Sequence, residues 1–311
     1  MNQITNTILM IRPVSFRMNE QTAVNNYYQK NSNGILPAAI TAKAQNEFDA
    51  FVDKLKAVGV NVIVVDDTKD TDTPDSVFPN NWISFHESGD VILYPMFAEN
   101  RRLERREDIL DVLEDQGFVI NDVMDYTLAE EEGVFLEGTG SIILDRANGK
   151  AYCALSPRAD EDLFIEFCED FEFTPIIFNA YQAVNGDREL IYHTNVMMSI
   201  GETFAVICSE CIDDKTERKS VIESLKQDGK EIIYITESQV NAFAGNMLQV
   251  KGANEKTYLV MSESAYNSLN KGQINQIEKH ASILYSNLET IETCGGGSAR
   301  CMMAEVFLPK E

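Results

Sequence analysis

The hydrophobic positions of this chain follow two different spacings, and the change from one to the other recurs five times. In each unit, apolar residues first fall three or four positions apart, as Phe51, Leu55 and Val58 do, and then form a short run rich in Val, Ile, Tyr and Phe. The first spacing predicts the buried face of a helix, and the second predicts a buried strand. The five units are DAFVDKLKAVGVNVIVVDD, DILDVLEDQGFVINDV, LFIEFCEDFEFTPIIFNA, SVIESLKQDGKEIIYIT and INQIEKHASILYSN.

A second repeated piece, a β-hairpin, is predicted between these units. Two apolar strands flank a glycine-containing turn in ISFHESGDVILYP, SIILDRANGKAYCAL, VMMSIGETFAVIC and MLQVKGANEKTYLVM. A fifth copy is divided between the ends of the chain, with TILMIRP near the start and MMAEVFL near the end. Pairing of these two segments would close a ring of repeats and hold the C-terminus in place. No linker-like segment interrupts the pattern, so we expect one domain over residues 1–311.

A polar or reactive residue precedes each hairpin at a nearly constant interval. Asn81, Glu137, His193, Asn246 and Cys301 follow one another at spacings of 56, 56, 53 and 55 residues. Equivalent loops of a closed ring converge on its axis, so we expect these five side chains to meet. A thiol, an imidazole and a carboxylate are the parts of an active site that uses a cysteine nucleophile.

The charge of the chain excludes several classes of partner. A formal net charge of −24 over 311 residues argues against nucleic acid, whose phosphates require clustered Lys and Arg, and against an anionic membrane surface. With 44% hydrophobic residues the composition is that of an ordinary globular protein. The expected partner is therefore a small-molecule substrate, and the sequence leaves a homo-oligomer open.

The cysteine and histidine content argues against disulfides and metals. Six cysteines in a chain of this length do not form the framework of a small secreted protein. Cys208 and Cys211 form a lone CxxC pair, and the only histidines are His86, His193 and His280, so we expect two thiols rather than a zinc site. The N-terminus lacks the pattern of a signal peptide, and no apolar run is long enough to span a membrane. We expect a cytoplasmic protein with no metal and no cofactor.

Three motifs resemble those of the pentein superfamily, which modifies guanidine and ureido groups. FLEGTGSIILDR, YHTNVMM and GGGSARCMM stand in the order and at the repeat positions that arginine deiminases, dimethylarginine hydrolases and amidinotransferases share. FPNNW, NRRLERR, SPRAD and FAGNMLQV are similar to the citrulline ureidase branch. The resemblance covers essentially the whole chain. It implies an α/β propeller of five ββαβ modules with pseudo-fivefold symmetry and a central active site.

The resemblance also implies roles for individual residues. Cys301 corresponds to the nucleophile, His193 to the residue that protonates the leaving nitrogen and later activates water, and Glu137 to the carboxylate that orients the imidazole. Arg101 and Arg158 stand where related enzymes bind the substrate α-carboxylate, which a planar guanidinium suits. The glycines before Cys301 are expected to let the backbone pass close to the substrate.

Other residues are expected to serve no catalytic purpose. Cys294 has no counterpart in the family and is expected to be structural. Arginine deiminases carry a further arginine five positions before the cysteine, where this chain has Gly296, and whether Arg300 substitutes for it is left open. His86, in a hairpin turn, and His280, at a helix end, are expected at the surface. The remaining arginines of NRRLERR are expected to form a solvated charge run; they are Arg102, Arg105 and Arg106.

Two positions where the chain departs from arginine deiminases point to the substrate. Those enzymes hold the cationic guanidinium with two aspartates, and the matching positions here are Asn81 and Asn195. A buried guanidinium without a carboxylate is poorly compensated, whereas an asparagine amide offers a donor and an acceptor to a neutral ureido group. With Asn246 as a third polar contact, the site is predicted to hydrolyse citrulline. Alternatives are an arginine deiminase, a methylarginine hydrolase, an amidinotransferase or a non-catalytic binding protein. If Asn195→Asp did not shift the preference toward arginine, an alternative explanation would be that Asp75 reaches the site.

Overall fold

The computed structural model describes residues 1–30, 34 and 36–311. The strands are β1 (Thr7–Arg12), β2 (Asn61–Asp66), β3 (Ile83–Phe85), β4 (Asp90–Leu93), β5 (Asp122–Asp125), β6 (Ile142–Asp145), β7 (Lys150–Ala154), β8 (Thr174–Phe178), β9 (Tyr181–Val184), β10 (Asp187–Leu190), β11 (Met198–Ile200), β12 (Phe204–Ile207), β13 (Glu231–Tyr234), β14 (Leu248–Lys251), β15 (Thr257–Ser262), β16 (Ser282–Ser286) and β17 (Ala304–Glu305). The α-helices are α1 (Pro37–Ala57), α2 (Glu99–Arg102), α3 (Asp108–Glu114), α4 (Gly138–Ser141), α5 (Glu161–Asp170), α6 (Lys215–Gln227), α7 (Glu237–Val240), α8 (Glu263–Ser268), α9 (Lys271–Ile277) and α10 (Glu289–Gly295).

Three-stranded sheets repeat the same connection five times in the described part of the chain. In four of them an antiparallel hairpin is followed by a helix and then by a third strand, which pairs parallel to the second. These sheets are β3–β4–β5, β6–β7–β8, β11–β12–β13 and β14–β15–β16. The connecting helices α3, α5, α6 and α9 are the helical halves of the units in the sequence. The predicted hairpins and the helix–strand units are therefore confirmed.

The fifth sheet joins the two ends of the chain. β1 pairs antiparallel with β17, with Ile8 opposite Glu305 and Leu9 opposite Ala304, and it pairs parallel with β2 along its whole length. This is the same connection as in the other four sheets, with the hairpin divided between the termini. The prediction that the last strand would hold the C-terminus in place is confirmed.

Helix caps and buried contacts join the repeats into a mixed α/β fold. Asp160 and Asp214 accept hydrogen bonds from backbone amides in the first turns of α5 and α6, which are otherwise unpaired at a helix start. Helix α1 packs its apolar face on the β1–β2 sheet; the buried residues of this face are Ile40, Ala44, Phe48, Phe51, Val52 and Leu55. Lys230 Nζ, just before β13, lies 3.1 Å from Asp145 Oδ1 at the end of β6, and both side chains are fully buried.

One hairpin and the burial of one histidine differ from the sequence-based expectations. The hairpin β9–β10 turns at Asn185 and Gly186, whose φ angles of 51° and 99° suit a two-residue turn of that composition. His86 is 3% exposed, lies 3.1 Å from Ser84 Oγ and stacks on an aromatic ring, and burial lowers its pKa well below the usual value. The His280 side chain is 12% exposed. The prediction of a surface position is wrong for His86, which Phe171 and Arg146 from later in the chain cover. His280 stays partly exposed and lies against Phe204 and Glu231.

Within the described residues, no helix combines the length and the apolar character that crossing a membrane requires. Over the same residues, His, Cys, Asp and Glu side chains form no group of three or more that could hold a metal ion.

Candidate active site

Short helical turns place the predicted site residues immediately before the hairpins. Such turns span Pro79–Asn81, Gly138–Ser141, Thr194–Val196 and Ala299–Met302. Asn246 instead follows a tight turn in which Phe243 has a φ of 61°. The loop residues identified by their regular spacing are all at most 2% exposed; they are Asn81, Glu137, His193, Asn246 and Cys301.

A narrow pocket brings five of the predicted residues together, whereas Glu137, Asn195 and Asn246 lie outside its lining. Cys301 and His193 both line it, so the thiol and the imidazole share one cavity. The rest of the wall comes from two N-terminal residues, two glycines of the final loop and side chains between them; these are Thr22, Asn26, Asp75, Phe78, Asn81, Arg101, Arg158, Tyr192, Gly295 and Gly297. The pocket is therefore built from segments that lie far apart in the sequence.

The sulfur of Cys301 accepts hydrogen bonds from two asparagine amides. Asn246 Nδ2 lies 3.2 Å from Sγ, and Asn195 Nδ2 lies 3.4 Å from it. Asn246 is oriented by the backbone N–H of Arg300, which donates to its Oδ1 at 2.9 Å. The Oδ1 atom of Asn195 is buried and has no hydrogen-bond partner in the described part of the chain. The sulfur thus faces two N–H donors, which stabilise negative charge on it, and an amide acceptor is left over beside it.

Glu137 and His193 form the acid–imidazole pair. Glu137 Oε2 lies 2.7 Å from His193 Nε2, and Oε1 accepts from the backbone N–H of Phe97 at 3.0 Å. Burial acts to raise the pKa of Glu137, but Arg158 and the imidazole outweigh it and hold this pKa below its usual range. Burial lowers the pKa of His193 to about 4 despite the opposing effect of Glu137. The imidazole is therefore neutral near pH 7, with Nε2–H donating to Glu137 and Nδ1 available to accept a proton.

The arginines of the pocket wall are held by protein groups. Arg101 donates to Asn81 Oδ1 at 2.7 Å and forms a two-point pair with Glu104 at 2.9 and 2.8 Å. Arg158 lies 3.4 Å from Glu137 Oε2 and also donates to Asn25 Oδ1 and to the carbonyl of Thr22. Both guanidinium groups hold the acid and the amide of the site in position. Their predicted role in binding a substrate carboxylate stays a prediction.

Asp75 reaches the pocket, which the sequence suggested only as an alternative. Its carboxyl group is 2% exposed, and Oδ2 accepts hydrogen bonds from Asn19 Nδ2 at 2.8 Å and from Thr22 Oγ1 at 3.0 Å. Oδ1 is buried without a hydrogen-bond partner among the described residues. Burial raises the pKa of this carboxyl group, although Arg101 acts in the opposite direction. The sequence placed Asp75 six residues before Asn81, but nothing in its local pattern indicated that it points inward.

The glycines near the site are required by neighbouring side chains. A Cβ on Gly295 or Gly297 would lie 2.8 or 2.9 Å from the ring of Phe78, and Gly296 has a φ of 63°. Gly295 and Gly297 also line the pocket, as the expected close approach to a substrate requires. A Cβ on Gly140 would lie 2.5 Å from Asn81 Nδ2 and 2.8 Å from His193 Nδ1. Gly140 therefore leaves room for the side chains of Asn81 and His193. The sequence analysis did not identify this role of Gly140.

Several other residues lie away from the pocket. Arg300 donates to the carbonyl of Met303 at 2.8 Å and pairs with Glu305 at 2.8 Å, so it does not line the pocket beside Cys301. Cys294 is buried in the apolar core beside α1, as expected of a structural cysteine. Cys208 and Cys211 are buried thiols at the end of β12, as predicted.

The charge run after α2 is not solvated, which corrects the prediction for its three arginines. Arg102 and Arg105 both pair with Glu130, at 3.4 and 2.5 Å, and Arg106 pairs with Asp108 at 2.5 Å. Their side chains are only 20–27% exposed. The sequence could not show the pairs of Arg102 and Arg105 because Glu130 comes from a later segment of the chain.

Solved structures with the same fold are known. ArgZ, an arginine dihydrolase from the ornithine–ammonia cycle in cyanobacteria, matches with a TM-score of 0.74 and 16% identity over 98% of this chain and 41% of its own. AgrE in complex with ornithine and NAD⁺ matches with a TM-score of 0.73 and 16% identity, over 98% of this chain and 40% of AgrE. A dimethylarginine dimethylaminohydrolase adduct with S-methyl-L-thiocitrulline matches with a TM-score of 0.62 and 15% identity, over 97% of this chain and 100% of the enzyme. The chain spans about two fifths of the length of ArgZ and AgrE, and no curated protein matches its sequence.

The fold and its pocket define a member of the pentein superfamily of arginine and dimethylarginine hydrolases. Within it, the model of the eukaryotic N,N-dimethylarginine dimethylhydrolases matches residues 12–308, and the chain belongs to this family.

Proposed function

We propose that this protein hydrolyses the ureido group of L-citrulline to ornithine, ammonia and carbon dioxide, with Cys301 as the nucleophile. The observation that carries the proposal is the environment of the sulfur. Within the described residues, the side chains that hydrogen-bond to Sγ are the amides of Asn195 and Asn246, and neither is charged. The proposal includes the arrangement of the five sheets as modules of a propeller around a pseudo-fivefold axis, in a single domain.

The proposed reaction begins with proton transfer from the Cys301 thiol to the neutral imidazole of His193. The thiolate attacks the ureido carbon, a C–N bond breaks, and the imidazolium returns its proton to the departing nitrogen. Glu137 stabilises the imidazolium while it exists, because its carboxylate accepts the Nε2–H. Water activated by His193 then hydrolyses the S-carbamoyl-type intermediate and releases the thiol. The carbamate that is formed decomposes to an amine and carbon dioxide.

The two side chains that hydrogen-bond to the sulfur are uncharged, and this local environment suits a ureido group better than a guanidinium. The unpartnered Oδ1 of Asn195 would accept an N–H of the ureido group. The Nδ2 groups donate to the sulfur, which carries the negative charge as a thiolate before it attacks. Substitution of a carboxylate for either amide would place a second negative charge beside the thiolate, which a guanidinium substrate would offset and citrulline would not.

A second part of the wall suits the zwitterionic end of an amino acid. Asp75 Oδ1 is a buried acceptor without a partner, and a substrate α-ammonium group would supply the missing donor. Arg101 and Arg158 are near enough to Asp75 to affect its pKa. We therefore assign Asp75 to the α-ammonium group and retain the two arginines as the positive charges that face the α-carboxylate.

Hydrolysis of dimethylarginine or arginine is the second candidate function. It is favoured by the family match and by Asp75, whose carboxylate could instead face a guanidinium. ArgZ is an arginine dihydrolase, and the structures include its N-terminal domain with substrate and with product. The alternatives of an amidinotransferase and of a non-catalytic binding protein have no specific observation in their favour.

Product analysis tests these assignments directly. The purified protein would be incubated separately with citrulline, arginine and asymmetric dimethylarginine, and ornithine, citrulline and ammonia would be quantified. We expect ornithine and ammonia from citrulline, with rates from the other two substrates at least about 100-fold lower. If ornithine formed from arginine, or citrulline from dimethylarginine, faster than ornithine formed from citrulline, the substrate assignment would be overturned. The assignment of Cys301 as the nucleophile would not be affected.

The nucleophile is tested by a pair of cysteine variants. Cys301→Ser should abolish ornithine release while the circular dichroism spectrum stays that of the wild type. Cys294→Ser, in the same C-terminal region, is the matched control and should retain activity. Mass spectrometry of the wild type, quenched during turnover, should show an adduct on the peptide that contains Cys301, and an adduct on another cysteine would refute the assignment.

A further inference from the structure

A second buried cavity lies behind the catalytic loops. It is small, with a volume of about 30 Å³, and is lined by residues adjacent in sequence to those of the site, including Arg300 before Cys301 and Met247 after Asn246. The carbonyl of Thr139, another lining residue, accepts a hydrogen bond from Asn195 at 3.4 Å. The cavity is therefore separated from the candidate active site by about one layer of residues.

Arg146 differs from the other buried arginines of the described chain because no carboxylate lies within 4.0 Å of it. Arg101, Arg158 and Arg300 each have a carboxylate oxygen at 3.4 Å or closer. The only hydrogen-bond contact of the Arg146 guanidinium within the described residues is with His86 Nδ1, at 3.4 Å, and this guanidinium lies 4.2 Å from the ring centre of Phe307. Arg146 is 3% exposed and lines the cavity. A buried guanidinium with so few acceptors is strongly destabilising unless a counter-charge reaches it.

The charges of the cavity wall do not balance. Two guanidinium groups, those of Arg146 and Arg300, face a single carboxylate, that of Glu305, which already pairs with Arg300 at 2.8 Å. The hydroxyl of Ser199, also in the wall, is buried and has no hydrogen-bond partner among the described residues. The wall therefore carries one excess positive charge and an available hydroxyl donor.

From this arrangement we propose that the cavity is a binding site for a small monovalent inorganic anion, held by Arg146 and Ser199. The anion is expected to carry one negative charge because the wall has one excess positive charge. Small size follows from the rest of the lining, which offers no free donor. Gln3 Nε2 already donates to the carbonyls of Leu144 and Ile200, and the Thr139 hydroxyl donates to the carbonyl of Asn80. The other lining side chains are apolar; these are Ile143, Leu144, Ile200, Met247 and Leu248. A divalent anion such as sulfate would leave one negative charge buried without a partner.

Thermal unfolding in different sodium salts at constant ionic strength tests the site without any assay of catalysis. Replacement of gluconate, which is too large for the cavity, by chloride should raise the Tm along a saturable curve. At a chloride concentration of about five times the dissociation constant, the expected rise is about 2 °C. Bicarbonate should act like chloride, and sulfate should act like gluconate. Identical unfolding curves in chloride and gluconate would overturn the proposal.

Variants locate the effect in this cavity. Arg146→Gln should abolish the saturable rise, and Arg17→Gln, which removes the same charge from an exposed pair with Asp72, should leave it unchanged. Ser199→Ala keeps the arginine and should move the chloride midpoint about fivefold higher, the size expected for one lost hydrogen bond. It serves as the test if Arg146→Gln does not fold. A chloride response unchanged in Ser199→Ala, or equal in Arg146→Gln and Arg17→Gln, would refute the site.

A crystal soaked in sodium bromide gives a direct measurement. Anomalous scattering should show bromide within hydrogen-bonding distance of the Arg146 guanidinium. Bromide found only at the protein surface would overturn the proposal. None of these outcomes depends on the substrate of the candidate active site, so this inference and the proposed function can fail separately.

Discussion

Replacement of Asn195 by aspartate is the sharpest test of why the pocket would prefer a ureido group. The change keeps the size of the side chain and converts one neutral group beside the sulfur into a carboxylate. In the wild-type protein, Asn195 Nδ2 lies 3.4 Å from Cys301 Sγ, and it is one of two donors to that atom. In Asn195→Asp, an acceptor with negative charge takes the place of this donor.

The distance sets the size of the expected effect. Two unit charges 3.4 Å apart repel by about 5 kcal/mol at the effective dielectric constant of about 20 that suits protein sites. Since about 1.4 kcal/mol corresponds to a factor of ten, we expect kcat/KM for citrulline to fall by about 4,000-fold. A guanidinium bound beside the new carboxylate would offset the repulsion, so the preference for arginine over citrulline should rise by at least about 100-fold.

The assay compares kcat/KM for citrulline and arginine in the wild type and the variant, from ornithine and ammonia release at pH 8. Asn267→Asp makes the same chemical change at an exposed helix position and should alter neither value by more than about twofold. A folded Asn195→Asp enzyme whose arginine-to-citrulline ratio stays within about threefold of the wild type would refute the charge argument. The recognition of citrulline would then have to depend on contacts other than this amide.

Three further predictions concern the pocket and its buried groups. Gly140→Ala should lower kcat/KM by about 100-fold, because its Cβ falls about 0.6 Å short of the 3.4 Å needed from His193 Nδ1, and displacement of a catalytic group by up to about 1 Å has that effect. Asp75→Asn should raise KM for citrulline by about 10- to 100-fold and leave kcat nearly unchanged, the loss expected for a hydrogen bond to a charged α-ammonium group. His193 and His86 both have pKa values below the ordinary 6.5 in the folded protein. As the pH falls, these two histidines therefore bind more protons in the unfolded chain than in the folded one. Their stabilising effect is complete above pH 6.5 and is lost in acid; for His193, with a pKa of about 4, urea unfolding should show a loss of about 2 kcal/mol between pH 7 and pH 5.

Each of these predictions has an outcome that would contradict it. Gly272→Ala, on α9, is the control for the first glycine, and equal activity of the two alanine variants would show that the space beside His193 is not critical. An unchanged KM in Asp75→Asn would remove the α-ammonium assignment. If His193→Gln left the change in the free energy of unfolding from pH 7 to pH 5 the same as in the wild type, burial would not hold this histidine neutral.

The sequence predicted the repeated elements well because their signals are local. Helical spacing in units such as that around Phe51 and Leu55, and glycine turns between apolar runs, report which face of one segment is buried. The regular interval between Glu137, His193 and Cys301 then predicted that distant loops would meet, because each loop holds the same place in its repeat. The β9–β10 hairpin was missed because it lies outside the repeat.

Contacts between repeats could not be predicted in this way. The sequence indicated arginine residues at positions 101 and 158 but gave no sign that Glu137 would lie beside both of them or that Asn25 would engage Arg158. His86 was expected at the surface because its own segment is a hairpin turn, and only the packing of Phe171 and Arg146 against it explains its burial. These outcomes depend on which segments of other modules face each turn.

The amino-acid sequence alone thus determined the elements, their order and the set of reactive loop residues, since periodicity and turn composition act over a few positions of the chain. Only the tertiary structure decided which amides donate to the sulfur of Cys301, that Asp75 points into the pocket, and that Arg146 has no carboxylate beside it. These facts are set by the distances between side chains that closure of the β1–β17 pair brings together from both ends of the chain, and no local pattern encodes them.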